Sequence, residues 1–176
     1  MKLATGVGNG VFQPDRSITR AEAAVLLARL TGLDGGNEAA DFPDTKNHWA
    51  RREIALARYY NLVMGDDNGL FRPDSFITRE EFAVMAERCV LLPDTADFNQ
   101  SFFDDVSPEE NTWSNRAIVK LSLAGILAGR EARKFHPGAD ISRAEAAKII
   151  RLLYDLPRIS KSNISTFTEP LPVQPR

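Results

Sequence analysis

ITRAEAAVLLARL (Ile18–Leu30), ITREEFAVMAERCV (Ile77–Val90) and ISRAEAAKIIRLL (Ile141–Leu153) are one pattern written three times in a single chain. Each copy follows a Phe-x-Pro in fixed register: Phe12, Phe71 and Phe135 stand eight residues before Arg20, Arg79 and Arg143. Working back from the second and third copies, Phe42-Pro43-Asp44 leads to Trp49 and Phe103-Asp104-Asp105 leads to Trp113. Trp49 to Phe71 and Trp113 to Phe135 both span 22 residues. Agreement over so many positions marks a repeat protein. The first copy starts only at its Gly loop, Gly6 to Gly10, and is incomplete.

Each quoted stretch is a helix with its start signal attached. With Thr19, Thr78 and Ser142 at N-cap, Glu22, Glu81 and Glu145 fall at N3, the spacing of a capping box. Ile77 and Phe82 sit at the N′ and N4 positions of a hydrophobic staple. Apolar residues then recur at helical spacing: Ala23, Leu26, Leu27, Leu30; Phe82, Met85, Ala86, Cys89; Ala146, Ile149, Ile150, Leu153. Cys89 belongs to that stripe and reads as a small core residue. The Trp blocks open a second helix type, with Ala50, Ile54, Ala57 and Asn61 on one line and Trp113, Ala117, Leu121 and Ala124 on another. Gly65 and Gly129 suit left-handed termination, and Pro73 and Pro137 an extended approach to the next cap. Five helices are expected, at about 19–31, 47–62, 78–91, 112–127 and 142–155. A unit of about 50–55 residues is too small to stand alone, so the units must pack together.

Arg20, Arg79 and Arg143 take the first helical position, where a cation is locally unfavourable. Two readings remain open: recognition of a carboxylate or phosphate beside the helix N-terminus, or pairing with a carboxylate of the neighbouring unit. Trp49 and Trp113 likewise suit either the core or a platform for a sugar ring.

Composition narrows the function. The chain has 176 residues, 43% of them apolar, and 24 acids against 22 bases, a net charge of −2. That balance argues against non-specific nucleic-acid or membrane binding. No apolar run approaches the roughly 18 residues of a membrane span. One cysteine excludes an internal disulfide framework and a Cys-rich zinc site. The opening Met1-Lys2-Leu3-Ala4-Thr5-Gly6 lacks the apolar region of a signal peptide.

The residues resemble S-layer homology (SLH) repeats. The match stands at Phe42/Asp44/Trp49/Gly65/Gly69/Phe71/Pro73/Ile77-Thr78-Arg79-Glu80-Glu81 and runs through roughly residues 6–156. The resemblance implies an all-α, pseudo-threefold spindle of tandem repeats: the second half of repeat 1 at 1–33, repeat 2 at 41–92, repeat 3 at 102–156, and a tail or linker at 157–176. It implies a non-catalytic module, without metal or cofactor, that anchors an exported protein to secondary cell-wall polymer, often carrying pyruvylated amino sugars. The location would be the cell wall or S-layer, outside the cell. Its grooves lie between repeats and would use Arg20, Arg79, Arg143, Asp44, Asp105, Trp49, Trp113 and the loop glycines Gly6, Gly65 and Gly129. The groove combining Arg20 or Arg79 with Asp44 and Trp49 is expected to open to solvent and hold an anionic sugar.

Departures from the pattern set further expectations. Repeat 1 supplies neither Asp nor Trp; repeat 3 inserts three residues between Asp105 and Trp113 and carries Arg133 and Gly138 for Gly69 and Asp74; repeat 2 has Glu80 where the others have Ala. Without a sixth helix, apolar surface should be exposed, to be covered by residues 158–176, by a second chain, or by a missing N-terminal half-repeat. Competing functions are weaker. Asp66/Asp67 and Asp104/Asp105 are adjacent loop acids, and no nucleophile–His set accompanies His48 or His136. Asp66-Asp67-Asn68-Gly69 resembles part of a calcium loop but lacks its closing Glu. A purely structural assembly module, and a peptidoglycan-binding module of an outer-membrane protein, are the remaining alternatives.

Overall fold

The computed structural model describes residues 11–34, 41–94, 98, 102–111 and 113–159. Five helices and no strands lie within them: α1 (Arg20–Thr31), α2 (Arg51–Tyr59), α3 (Arg79–Glu87), α4 (Asn115–Leu123) and α5 (Arg143–Tyr154). The all-α expectation is met. All three capping boxes form: Thr19, Thr78 and Ser142 accept from the N–H of Glu22, Glu81 and Glu145, whose carboxylates accept from the cap N–H. The predicted stripes are the core, with Phe82, Leu27, Cys89 and Leu153 fully enclosed. Burial pushes the Cys89 thiol pKa up, so it stays a neutral packing group.

The two Trp helices are shorter than expected. Thr45, His48 and Arg51 are joined by i→i−3 backbone bonds, so the chain enters α2 through tight turns and Trp49 precedes the helix. α2 has no side-chain cap, but His48 braces its entry: the N–H of the cap residue Ala50 donates to its Nδ1 at 3.2 Å. At the other end, left-handed Asn61 (φ 56°) and Gly125 (φ 71°) stop α2 and α4. Gly65 and Gly129 therefore do not end the helices. They are required by close approach instead: a Cβ would meet Phe42 Cε1 at 2.9 Å from Gly65, and Lys134 O at 2.4 Å from Gly129.

The helix starts meet at a pseudo-threefold axis. Ile18 N–H donates to Ile141 O, Ile141 N–H to Ile77 O, and Ile77 N–H to Ile18 O, a closed ring of 3.1–3.2 Å bonds. Outside that ring, each capped helix uses its free first-turn donors on the next repeat. Arg20 and Ala21 donate to Ser75 O and Pro73 O, Arg79 and Glu80 to Ala139 O and Pro137 O, and Arg143 and Ala144 to Arg16 O and Pro14 O. Orphan N–H groups of helix ends must find partners, and here the neighbouring repeat provides them.

On the outside, α2 packs on α1 and α4 on α3, while no Trp helix among the described residues covers α5. Its outer face differs accordingly. Lys148 and Arg151 are exposed where Val25 and Ala28 of α1 are buried. The apolar area left open is thus smaller than the repeat pattern alone suggests, though Ala144, Leu152 and Tyr154 remain exposed. The chain beyond α5 joins the body as far as it is described. Leu91 N–H donates to Pro157 O, Ile159 N–H donates to Cys89 O, and Ile159 is buried. Most of the expected tail, residues 160–176, lies outside the described residues.

Candidate functional site

The three N1 arginines occupy one environment, repeated around the axis. Arg20 donates from Nε to Phe71 O (2.8 Å), from Nη1 to Glu81 Oε1 (2.9 Å) and from Nη2 to Met64 O (3.3 Å). Arg79 donates to Phe135 O (2.8 Å), Glu145 Oε1 (2.5 Å) and Ala128 O (3.0 Å). Arg143 donates to Phe12 O (2.9 Å) and lies 3.5 Å from Glu22 Oε1. Each guanidinium also sits over the Phe ring of the next repeat's Phe-x-Pro, 5.0, 4.5 and 5.1 Å from its centroid. Arg20 and Arg79 are 7% and 4% exposed. The expectation that these two open to solvent is corrected. The neighbouring-unit ion pair is the arrangement found, because the Glu at N3 offers one carboxylate oxygen to its own cap and the other to the arriving Arg.

Asp44 and Asp105 do equally local work. Asp44 accepts from the N–H of Phe71 (3.0 Å) and Arg72 (2.7 Å), and Asp105 from Phe135 and His136 (both 2.7 Å). These paired bonds hold the residue between Phe and Pro in a left-handed conformation, φ 57° at Arg72 and 59° at His136, with Gln13 at 52°. The residue just before each proline is thus left-handed, while the chain is extended at the caps that follow, Thr78 and Ser142. A left-handed non-glycine residue is strained by about 1–3 kcal/mol; at Arg72 and His136 the Asp carboxylate helps to hold it, while Gln13 takes the same conformation without one. For Asp105, burial raises the pKa, but the Phe135 and His136 N–H groups outweigh it and the net shift is downward. Phe42 stacks on Phe71 and Phe103 tilts onto Phe135, 5.2 and 5.3 Å between centroids, which fixes the leading half of each repeat against its loop.

One junction holds a cleft of about 250 Å³. It is lined by the largely buried Arg20 of repeat 1, by the loop and Phe76 of repeat 2, and by Trp113 of repeat 3. The structure thus brings Arg20 together with Trp113, whereas the expectation placed it with Trp49. Rotation by one repeat explains the difference: the indole facing each loop comes from the following repeat. Trp49, 67% exposed, does not line this cleft. Trp49 packs beside His48 (5.3 Å between rings), whose Nε2 lies 3.2 Å from Asp74. Gly6 lies outside the described residues.

The Arg79 junction differs. Arg130, at the register position of Asp66, forks onto Glu145 (2.8 and 2.7 Å) and reaches Asp140 O. Two guanidiniums therefore share the Glu145 carboxylate. Burial raises its pKa, but Arg130, the Ser142 N–H and Arg79 outweigh that and hold it near 2. Glu80 also has a role that the sequence did not show. It accepts from Ser114 Oγ (2.8 Å) and Asn111 Nδ2 (3.3 Å), seating the start of α4 next to Trp113.

Residues 1–24, 41–83 and 102–147 match the S-layer homology domain pattern. The chain belongs to the S-layer homology domain family. Among its relatives are a cellulosome-anchoring protein of Acetivibrio thermocellus, 35% identical over 82% of this chain and 34% of the relative. An S-layer protein of Bacillus licheniformis is 31% identical over 96% of this chain and 20% of the relative. An endoglucanase of Bacillus sp. is 33% identical over 86% of this chain and 16% of the relative. The chain thus spans about a third or less of the length of these relatives. No helix among the described residues is long and apolar enough to cross a membrane, and no cluster of possible metal ligands occurs among them.

Proposed function

We propose that this chain is a non-catalytic carbohydrate-binding module that anchors an exported protein to an anionic cell-wall polysaccharide, with pyruvylated amino sugar as the recognised unit. The carrying observation is the cleft between repeats, lined by an indole, Trp113, and the exposed Phe76 ring together with the polar Arg20, Thr78 and Glu81. Aromatic faces with a few polar groups beside them suit a sugar ring, which is apolar on its faces and polar at its edge. The relatives support a role separable from catalysis. An anchoring protein, an S-layer protein and an endoglucanase share no activity by name, yet share this segment.

In this reading Trp113 covers the sugar, and Arg20 contributes charge and backbone order. Trp49 offers a second platform outside this cleft. Asp44, Asp105, Arg79, Gly65 and Gly129 shape the walls from within. Co-sedimentation with purified cell walls, before and after removal of their pyruvyl groups, tests the reading. The intact protein should pellet with untreated walls and Trp113→Ala should remain largely in the supernatant. Equal pelleting of both proteins, or none by the intact one, would overturn it.

A further inference from the structure

The cleft contains a cation other than Arg20. Arg72, the residue between Phe71 and Pro73, lines it with a side chain 36% exposed, whereas the Arg20 side chain is 9% exposed. Arg20 donates from all three guanidinium nitrogens to Phe71 O, Glu81 and Met64 O. A ligand carboxylate reaching it must displace Glu81 from a largely buried pair. Arg72 is bonded differently. Its Nε donates to Asp66 Oδ2 at 2.6 Å, and neither Nη1 nor Nη2 has a partner among the described residues. One guanidinium nitrogen is engaged and the other two are available.

The backbone explains why that fork is aimed. Arg72 is left-handed (φ 57°), and its own N–H and that of Phe71 are both held by Asp44. The side chain is then braced by Asp66, whose other oxygen accepts from Asn68 (2.8 Å) and Leu70 (3.0 Å) in the same loop. A cation fixed at backbone and at Nε loses little freedom when it binds. The corresponding residues are Gln13 and His136, so the position varies while its conformation does not.

We infer that Arg72, through its free Nη1 and Nη2, takes the carboxylate of the sugar held in the Trp113 cleft and makes this junction select acidic polymer. The inference rests on the anchoring function proposed above. Arg20 is then a positioning residue that holds Phe71 and the loop beneath the ligand. A carboxylate accepting two parallel N–H bonds from one guanidinium is a strong and directional contact.

The test uses binding isotherms on native and depyruvylated cell walls, for the intact chain and for Arg72→Gln. Glutamine already occupies this conformation at position 13 (φ 52°), so the backbone tolerates it. The intact chain should prefer native walls by roughly tenfold or more. Arg72→Gln should lose that preference, bind depyruvylated walls as the intact chain does, and melt at an unchanged temperature. A variant that keeps the intact chain's preference overturns the role of Arg72 and leaves anchoring standing. So does one that binds both walls more weakly in equal measure. An intact chain that binds neither wall, or both equally, removes the acidic-sugar reading and the role of Arg72 with it.

Discussion

Arg79 illustrates how a polar residue becomes core. Its guanidinium caps a phenylalanine ring, pairs with Glu145 and satisfies two backbone carbonyls, the buried one of Phe135 and that of Ala128. Replacing it with Ala leaves those carbonyls without their donor and opens the packing over Phe135. Arg79→Ala is expected to lower unfolding free energy by about 2–4 kcal/mol in urea titration. The larger part of that loss should persist in high salt, since the group is buried. Asp44→Asn is expected to weaken the fold too, by about 1–3 kcal/mol, because an amide can accept at only one of the two N–H groups that hold Arg72 left-handed. A thermal melt of the variant checks it. These roles were poorly legible in the sequence. The N1 position of Arg79 and the Phe-x-Asp register could be read. That the Arg reaches the next repeat's Phe-x-Pro depends on a rotation that no local spacing encodes.

Elements were legible where their signals are local. A Thr or Ser three residues before a Glu, with an apolar stripe behind, contains all that a capping box needs, and α1, α3 and α5 begin where that motif puts them. The starts of α2 and α4 carry no such motif. Their first turns are arranged by His48 and by the contact of Ser114 with Glu80, on a different repeat. That contact makes α4 and its indole dependent on α3. Glu80→Ala should therefore reduce wall binding severalfold while leaving helix content by circular dichroism almost unchanged, since only one side-chain hydrogen bond pair is removed. A variant that binds normally would show that Trp113 is seated without Glu80. The two left-handed stops, Asn61 and Gly125, could be anticipated from residue type alone, but Gly65 and Gly129 offered the same signal more plainly and misled.

Acid sensitivity belongs to the whole molecule, because two of the carboxylates concerned, Glu145 and Glu22, tie repeats together. Glu145 is held near 2 against an ordinary value of 4.5, and Glu22 and Asp105 are also lowered. At Glu22 burial acts upward, but Arg16, the Thr19 N–H and Arg143 outweigh it. A folded-state value below the unfolded one stabilises the protein above the unfolded pKa, and that stability is lost as pH falls through the folded value. Stability should then stay level down to about pH 5 and decline between about 4.5 and 2. Guanidinium titrations at stepped pH check this. Glu145→Gln should flatten part of the decline, since an amide does not titrate. A protein equally stable at pH 2.5 and pH 6 would show that these pairs add no net stability.

The ring of Ile18, Ile77 and Ile141 also decides how the chain arrives at and leaves its folded state. In a linear array of repeats the end units fray and the middle ones wait for neighbours. Here the first described repeat closes onto the last through Arg143 and Phe12, 131 residues apart in sequence. Each half-formed arc still lacks the carbonyl acceptors for one helix start, so the ring of described repeats has no free end from which melting can creep inward. The loop that closes is long, and its entropy must be spent before the final contacts return anything. Folding should therefore be slow for a protein of short helices, and unfolding a single calorimetric transition rather than a staircase. A module of this kind, pulled by whatever it tethers, would let go all at once or not at all.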